Sequence, residues 1–210
     1  MKTILAIILS GVVASGALAQ GIVNFGNSSS TLISVDGVAM PGSSVSTFYF
    51  AVFMAPSGTV TADFTTIPNA TAFTDPTWGS ALYTTVNHAT AAGRLATTAA
   101  AAQIPGYAGG STADFIIRAW SANAGTTYAQ ALAAYNSGSV PSAIFGTSAR
   151  IGNNIVLSDG AGIPVTTLFG VGGNQVGGFN LITQFPEPSS MALTGLGAAF
   201  LLVFRRRNAV

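Results

Sequence analysis

The chain contains no cysteine, one histidine and one glutamate, and charged side chains make up 6% of its 210 residues. Without cysteine there are no disulfides and no thiolate metal ligands, so stability outside the cytoplasm has to come from a hydrophobic core. With His88 as the sole imidazole, a zinc or iron centre of the usual type is excluded, because such sites draw on several His, Cys or carboxylate ligands. A Ser-His-Asp arrangement would have to combine His88 with Asp75 or Asp114. No G-x-S-x-G elbow accompanies them, and Asn87-His88-Ala89-Thr90 reads as a surface loop. Glu187 lies near the C-terminus, so the two close carboxylates of a glycosidase are missing. The aspartates form no Asp-x-Asp-x-Asp calcium loop; Asp36 and Asp159 each precede a glycine, as turns favour. The expectation is a protein that is not an enzyme and uses no metal or cofactor.

Positive charge is equally sparse. Lys2 stands near the start and Arg205-Arg206-Arg207 form one triplet, which leaves Arg94, Arg118 and Arg150 against Asp36, Asp63, Asp75, Asp114 and Asp159 in the body. Such a body has no patch able to neutralise a row of phosphates, so nucleic acid is not an expected partner. The glycine-rich stretch Gly170 to Gly178 breaks the G-x-G-x-x-G spacing at Gln175 and reads as a flexible loop.

What is present is concentrated at the ends. Lys2, the apolar run Ile4 to Val13 and Ala17-Leu18-Ala19 ahead of Gln20 follow the three zones of a secretory signal; Ala17 and Ala19 suit signal peptidase, with cleavage expected after Ala19. Towards the C-terminus, Pro186-Glu187-Pro188 leads into the apolar run Met191 to Phe204 and then the arginine triplet. A helix over 189–204 covers about 24 Å, short for a bilayer core of about 30 Å. Snorkelling of the arginines and local thinning close that gap, and the triplet serves as a cytoplasmic stop charge. A span this short, interrupted by Gly195 and Gly197, indicates a temporary transmembrane anchor.

The order Phe185-Pro186-Glu187-Pro188-Ser189-Ser190, Gly195-Leu196-Gly197 and Arg205-Arg206-Arg207 resembles the PEP-CTERM sorting signal of bacteria. The resemblance implies that Pro186, Glu187 and Pro188 are the recognition element for exosortase, a membrane-embedded cysteine protease that processes near this motif, and that the arginines are its retention charge. Less specifically, Gln20 to Phe25, Phe50-Ala51-Val52-Phe53, Pro105-Gly106 followed by Phe115 to Trp120, Thr126 to Ala131 and Gly178 to Leu181 resemble the layout of small PEP-CTERM proteins. That layout implies a surface or matrix protein without a defined activity.

The body, residues 20–184, reads as many short strands with Gly, Asn, Ser and Pro turns. Ile22 to Phe25 is a first strand. Leu32 to Met40 is a hairpin around Asp36-Gly37, a type I′ signal. Val45 to Ala55, nearly all apolar or aromatic, is a central strand covered on both faces. Thr59 to Ser80 is expected as an extended loop with short edge strands, Leu82 to Val86 as a strand, and Ala89 to Ala102 as extended. Pro105-Gly106 and Gly109-Gly110 are expected turns, followed by a strand over Ala113 to Trp120 with Phe115, Ile117 and Ala119 on one face. Thr127 to Asn136 is the one helix, with a Thr127/Gln130 capping box and Gly138 as its stop, lying over a sheet edge. Ile144-Phe145, Ile155 to Leu157, Val165 to Phe169 and Gly178 to Ile182 complete the set, with Gly152-Asn153-Asn154 as a separator. The expected fold is mainly β, an antiparallel sandwich with one short helix, flanked by the signal peptide (1–19) and by the sorting tail (185–210) with its transmembrane helix.

Within the body the aromatic residues are the remaining binding candidates. Trp78, Tyr83, Tyr107, Trp120 and Tyr128 would form a sugar-stacking platform if exposed together, the mark of a module for a secreted polysaccharide. Arg118 and Asp114 share a strand face and are expected to pair on its surface. Asn27-Ser28-Ser29 and Asn69-Ala70-Thr71 match the N-glycosylation pattern. The expected partners are signal peptidase, the sorting protease and the membrane, with an extracellular polysaccharide as the alternative. The destination is the cell surface or matrix, after transient anchoring in the inner membrane.

Overall fold

The computed structural model of the protein describes residues 20–43, 47–59, 73–96 and 102–183. The expected signal peptide, the sorting motif, the 189–204 helix, the arginine triplet and Asn69 lie outside the described residues. Among the described residues no helix is long and apolar enough to cross a membrane.

Among the described residues the protein is mainly β with one ten-residue α-helix. Its strands are β1 (Gln20–Asn24), β2 (Ser34–Val35), β3 (Val38–Ala39), β4 (Phe48–Pro56), β5 (Tyr83–Val86), β6 (Ala102–Ala108), β7 (Thr112–Ser121), β8 (Ile144–Thr147), β9 (Gly152–Val156), β10 (Thr166–Thr167) and β11 (Asn180–Thr183), with α1 spanning Tyr128–Ser137. The larger sheet runs β3-β2-β11-β8-β7-β4-β5, with β9 also on β7; the smaller one runs β10-β1-β6. Pairing is mostly antiparallel. β1 with β10 and β11 with β2 are parallel, which corrects the purely antiparallel expectation. Those two pairs join segments far apart in sequence, and no short turn signals them.

β4 and β7 form the centre through an uninterrupted antiparallel register from Phe48↔Ser121 to Pro56↔Ala113. Both strands are buried on both faces, so the centre of the larger sheet is covered twice. Phe48, Phe50 and Val52, with Ala113, Phe115, Ile117 and Ala119, share one cluster with Val23, Ala102 and Ile104 of the smaller sheet. On the opposite face Ala51, Phe53 and Ala55 join Ile116, Trp120, Phe145, Phe73 and Trp78, with α1 packed against them. Removing each such large side chain from water contributes about 1.5–3 kcal/mol, which makes these layers the main source of stability in a chain without disulfides.

α1 forms where expected. Thr127 accepts from Gln130 N while the Gln130 side chain accepts from the cap backbone, and Gly138 closes the helix in the left-handed region at φ +59°. It does not cover an edge, however. Tyr128 meets Phe53 of β4 and Trp120 of β7, and Tyr135 meets Phe145 of β8, so the helix lies across the middle of the sheet. Asp36 (φ +48°) and Gly37 (φ +82°) make the two-residue turn between β2 and β3, as their residue types demand.

Other differences are local. Pro105-Gly106 is not a turn but lies inside β6, where the register jumps from Gly21↔Ile104 to Gln20↔Ala108 and the extra residues form a bulge. Gly152-Asn153-Asn154 belongs to β9 rather than to a connection. In the described part of Thr59 to Ser80, residues Pro76–Trp78 form a 3₁₀ turn capped by Asp75 instead of an edge strand.

Candidate functional site

Arg118 illustrates how the body uses its few charges. It alternates with Ile116 and Trp120 on β7, and that face is covered by α1 and the segment from Phe73 to Trp78, so the side chain is 1% exposed. Nη1 donates to Tyr128 Oη at 2.7 Å and Nη2 to the Asp75 carbonyl at 2.6 Å. The guanidinium lies 4.4 Å from the Phe53 ring centre and 5.2 Å from that of Tyr128. Tyr128 Oη in turn donates to the Phe73 carbonyl. Burial lowers the Arg118 pKa, opposed by Tyr128 and Asp75; burial raises that of Tyr128, opposed by Arg118. The expected surface pair with Asp114 is therefore replaced by an internal hub that fastens the segment from Phe73 to Asp75 and a helix to the sheet. The apolar residues two positions either side of Arg118 were the available sign of this burial.

Asp114, also fully buried, accepts from Gly58 N at 2.9 Å and Asn154 N at 2.8 Å. His88 Nδ1 accepts from the Thr90 and Ala91 amides at 3.1 and 2.9 Å, which shapes its own turn. Asn27 is 3% exposed; its Nδ2 donates to the Thr31 and Gly93 carbonyls and its Oδ1 accepts from Leu95 N. An asparagine held this way is not a glycan acceptor in the folded domain. These buried amides and carboxylates were missed in the sequence because no periodicity marks a loop-fastening side chain.

The proposed sugar platform is not assembled. Trp78 and Trp120 are fully buried in the cluster under α1. Tyr83 and Tyr107 are half-buried against the other cluster, and Tyr128 is tied to Arg118. Among the described residues no group of three or more His, Asp or Glu side chains is placed to hold a metal. A shallow depression of about 430 Å³ lies beside β2 and β11, lined by Ser30, Leu32, Ser34, Gly178, Phe179 and Asn180, with no titratable side chain in its wall.

The place where β11 leaves the sheet is more tightly built. β11 is flanked by β2 and β8, with Leu181↔Val35 and Thr183↔Ile144 in register. Asn180 Oδ1 accepts from Ser34 Oγ and Gly37 N, both at 2.8 Å. Asp36 N donates to the Leu181 carbonyl at 2.8 Å, and the Asp36 carboxylate accepts from Thr183 N at 3.1 Å and Thr183 Oγ1 at 2.7 Å. Thr183 is thus clamped through main chain and side chain by the turn whose Asp-Gly signal was visible in the sequence. Gln20, the first residue of β1, is exposed at the start of the described domain and pairs with Ala108.

Immediately beyond this clamp, residues 186–207 match the family model of the PEP-CTERM protein-sorting motif. The chain thus carries a sorting signal attached to a mainly β domain, as the Pro-Glu-Pro, apolar and arginine segments indicated. That motif implies export, processing by exosortase and membrane-associated sorting to the cell surface. No curated protein and no solved structure matches the chain.

Proposed function

We propose that this protein is an exported, non-enzymatic β domain, freed of its signal by signal peptidase after Ala19. The 189–204 helix then holds it briefly in the inner membrane, and processing near Pro186-Glu187-Pro188 releases it to the cell surface or extracellular matrix. Its role there is structural or adhesive. The observation that carries the reading is the sorting motif over 186–207, which follows the last described strand after two residues, Gln184 and Phe185. The structural part of the reading is supported by how the polar side chains are used: Arg118, Asp114, His88 and Asn27 each hold backbone or neighbouring loops in place.

A carbohydrate-binding role, the alternative from composition, loses its main support because both tryptophans are inside. The intact mass of the protein recovered from the outer surface tests the sorting reading. A mass that begins at Gln20 and lacks Met191 to Val210 is expected. A mass that retains that segment would show a permanent anchor and remove the reading.

A further inference from the structure

We infer that the end of the domain where β11 exits is a docking surface for the outer face of the sorting protease. This surface comprises the Asp36-Gly37 turn with Val38, the 139–142 segment and Asn123. The inference rests on the sorting reading above. Three residue steps lead from Thr183 to Pro186 and five to Pro188. Fully extended, these span at most about 11 and 18 Å. A compact domain of roughly 165 residues has a radius of gyration of about 15 Å. A protease that holds Pro186 to Pro188 therefore has the folded domain against it unless β11 is withdrawn. Withdrawal would break pairing on both edges of β11 together with the Asp36–Thr183 clamp.

The same register defines which surface is presented. Thr183 faces Ile144, so the residues before β8 lie beside the exit, where Asn123 Nδ2 donates to Ser142 Oγ at 3.2 Å; Val38, just past the turn, is 71% exposed. The named residues of this end carry one carboxylate, Asp36, together with amides and hydroxyls, and no Lys or Arg. The described arginines are elsewhere: Arg118 is internal, Arg94 donates to the Asn27 carbonyl, and Arg150 donates to the Gly172 carbonyl. A surface shaped to rest on anionic headgroups carries basic side chains. This one fits a protein face that offers hydrogen-bond donors.

Site-specific photo-crosslinking in the full chain tests the inference, in the native host with its sorting protease made unable to cleave. A crosslinking residue is placed at Val38 or Ser139. A third position is Val171, 76% exposed and in the loop that Arg150 and Asn153 tether near the other end of β7. Adducts with the protease from Val38 and Ser139 are expected at severalfold higher yield than from Val171. Equal yields at the three positions, or lipid adducts alone at Val38 and Ser139, would overturn the inference. Intact mass in the host with active protease separates the two levels. A processed tail without end-selective crosslinks removes the docking surface only, whereas an unprocessed tail removes the sorting reading and the docking surface with it.

Discussion

Replacing Arg118 tests whether the internal guanidinium is what fastens the upper layer to the sheet. Arg118→Ala deletes two hydrogen bonds from a charged donor, at 2.7 and 2.6 Å, and the contacts with two aromatic faces. Bonds of this kind contribute about 1.5–3 kcal/mol each, and a desolvated cation–π contact about 2 kcal/mol. Keeping a cation inside opposes them by several kcal/mol, so these two sums nearly cancel. The net effect is set by what remains: the Asp75 carbonyl loses its guanidinium partner, at about 1–3 kcal/mol, and a long stem is missing from a packed cluster, which in buried truncations costs about 2–5 kcal/mol. These two costs fall on the same site and are not additive there, so alanine should destabilise by about 3–5 kcal/mol, the lower part of their sum. Methionine refills the stem and should cost only about 1–3 kcal/mol. At roughly 2–4 °C per kcal/mol for a domain of this size, Tm should fall by about 6–20 °C for alanine and clearly less for methionine. Urea unfolding of the surface-recovered protein, followed by tryptophan fluorescence, is a direct assay because Trp78 and Trp120 both belong to this cluster. An alanine variant within about 0.5 kcal/mol of the parent, or a methionine variant weaker than alanine, would refute the reasoning.

Four further outcomes are expected. Tyr128 and Tyr135 have their phenol pKa raised above the ordinary 10.0 by burial, so the stability they provide is intact below pH 10 and declines as pH rises beyond it. Phenylalanine at both positions should flatten that alkaline decline in a pH series of Tm values. The Asp159 carboxyl is held below its usual range by amide donors from Ile163, Ala161 and Gly162; its contribution is present above the unfolded carboxylate pKa and lost as pH falls through the depressed one, a slope that Asp159→Asn should remove. Gly178→Ala would place a Cβ 2.3 Å from the Leu32 carbonyl oxygen and should destabilise by about 1–3 kcal/mol, whereas Gly173→Ala meets nothing within 4 Å and should stay within about 0.5 kcal/mol in the same denaturation assay. On a glycan panel, Tyr83→Ala and Tyr107→Ala should change no binding signal; a loss specific to both would restore the stacking site.

Local signals were the legible ones. Asp36-Gly37 has one comfortable backbone arrangement, Thr127 and Gln130 satisfy each other's amides, and the apolar sequence of β4 has no face left for water, so the hairpin, the helix and the central strand could be read directly. Sheet order could not, because the parallel pairs β1–β10 and β2–β11 depend on loops whose path no residue type dictates. Pro105-Gly106 carries the same residues whether it turns the chain or bulges a strand, and only the partner strand decides. Burial of Trp78, Trp120 and Arg118 depends on a helix packing across the sheet, a tertiary event that composition does not report. The attached motif was legible for the opposite reason: three segments in fixed order suffice for its recognition.

The position of β11 also bears on timing. Until Asn180 to Thr183 take their place, β2 has no neighbour on its inner edge and β8 has one edge open, so the larger sheet is split in two. The residues that close that gap and the residues that carry the sorting motif are separated by two positions. At a synthesis rate of about 5–20 residues per second, Pro186 follows Thr183 within about a second and the end of the motif within about five seconds. A chain cut short before Asn180 would therefore lose the sorting motif together with the strand that joins the two parts of the sheet, and a domain that fails to seat its final described strand presents two open sheet edges.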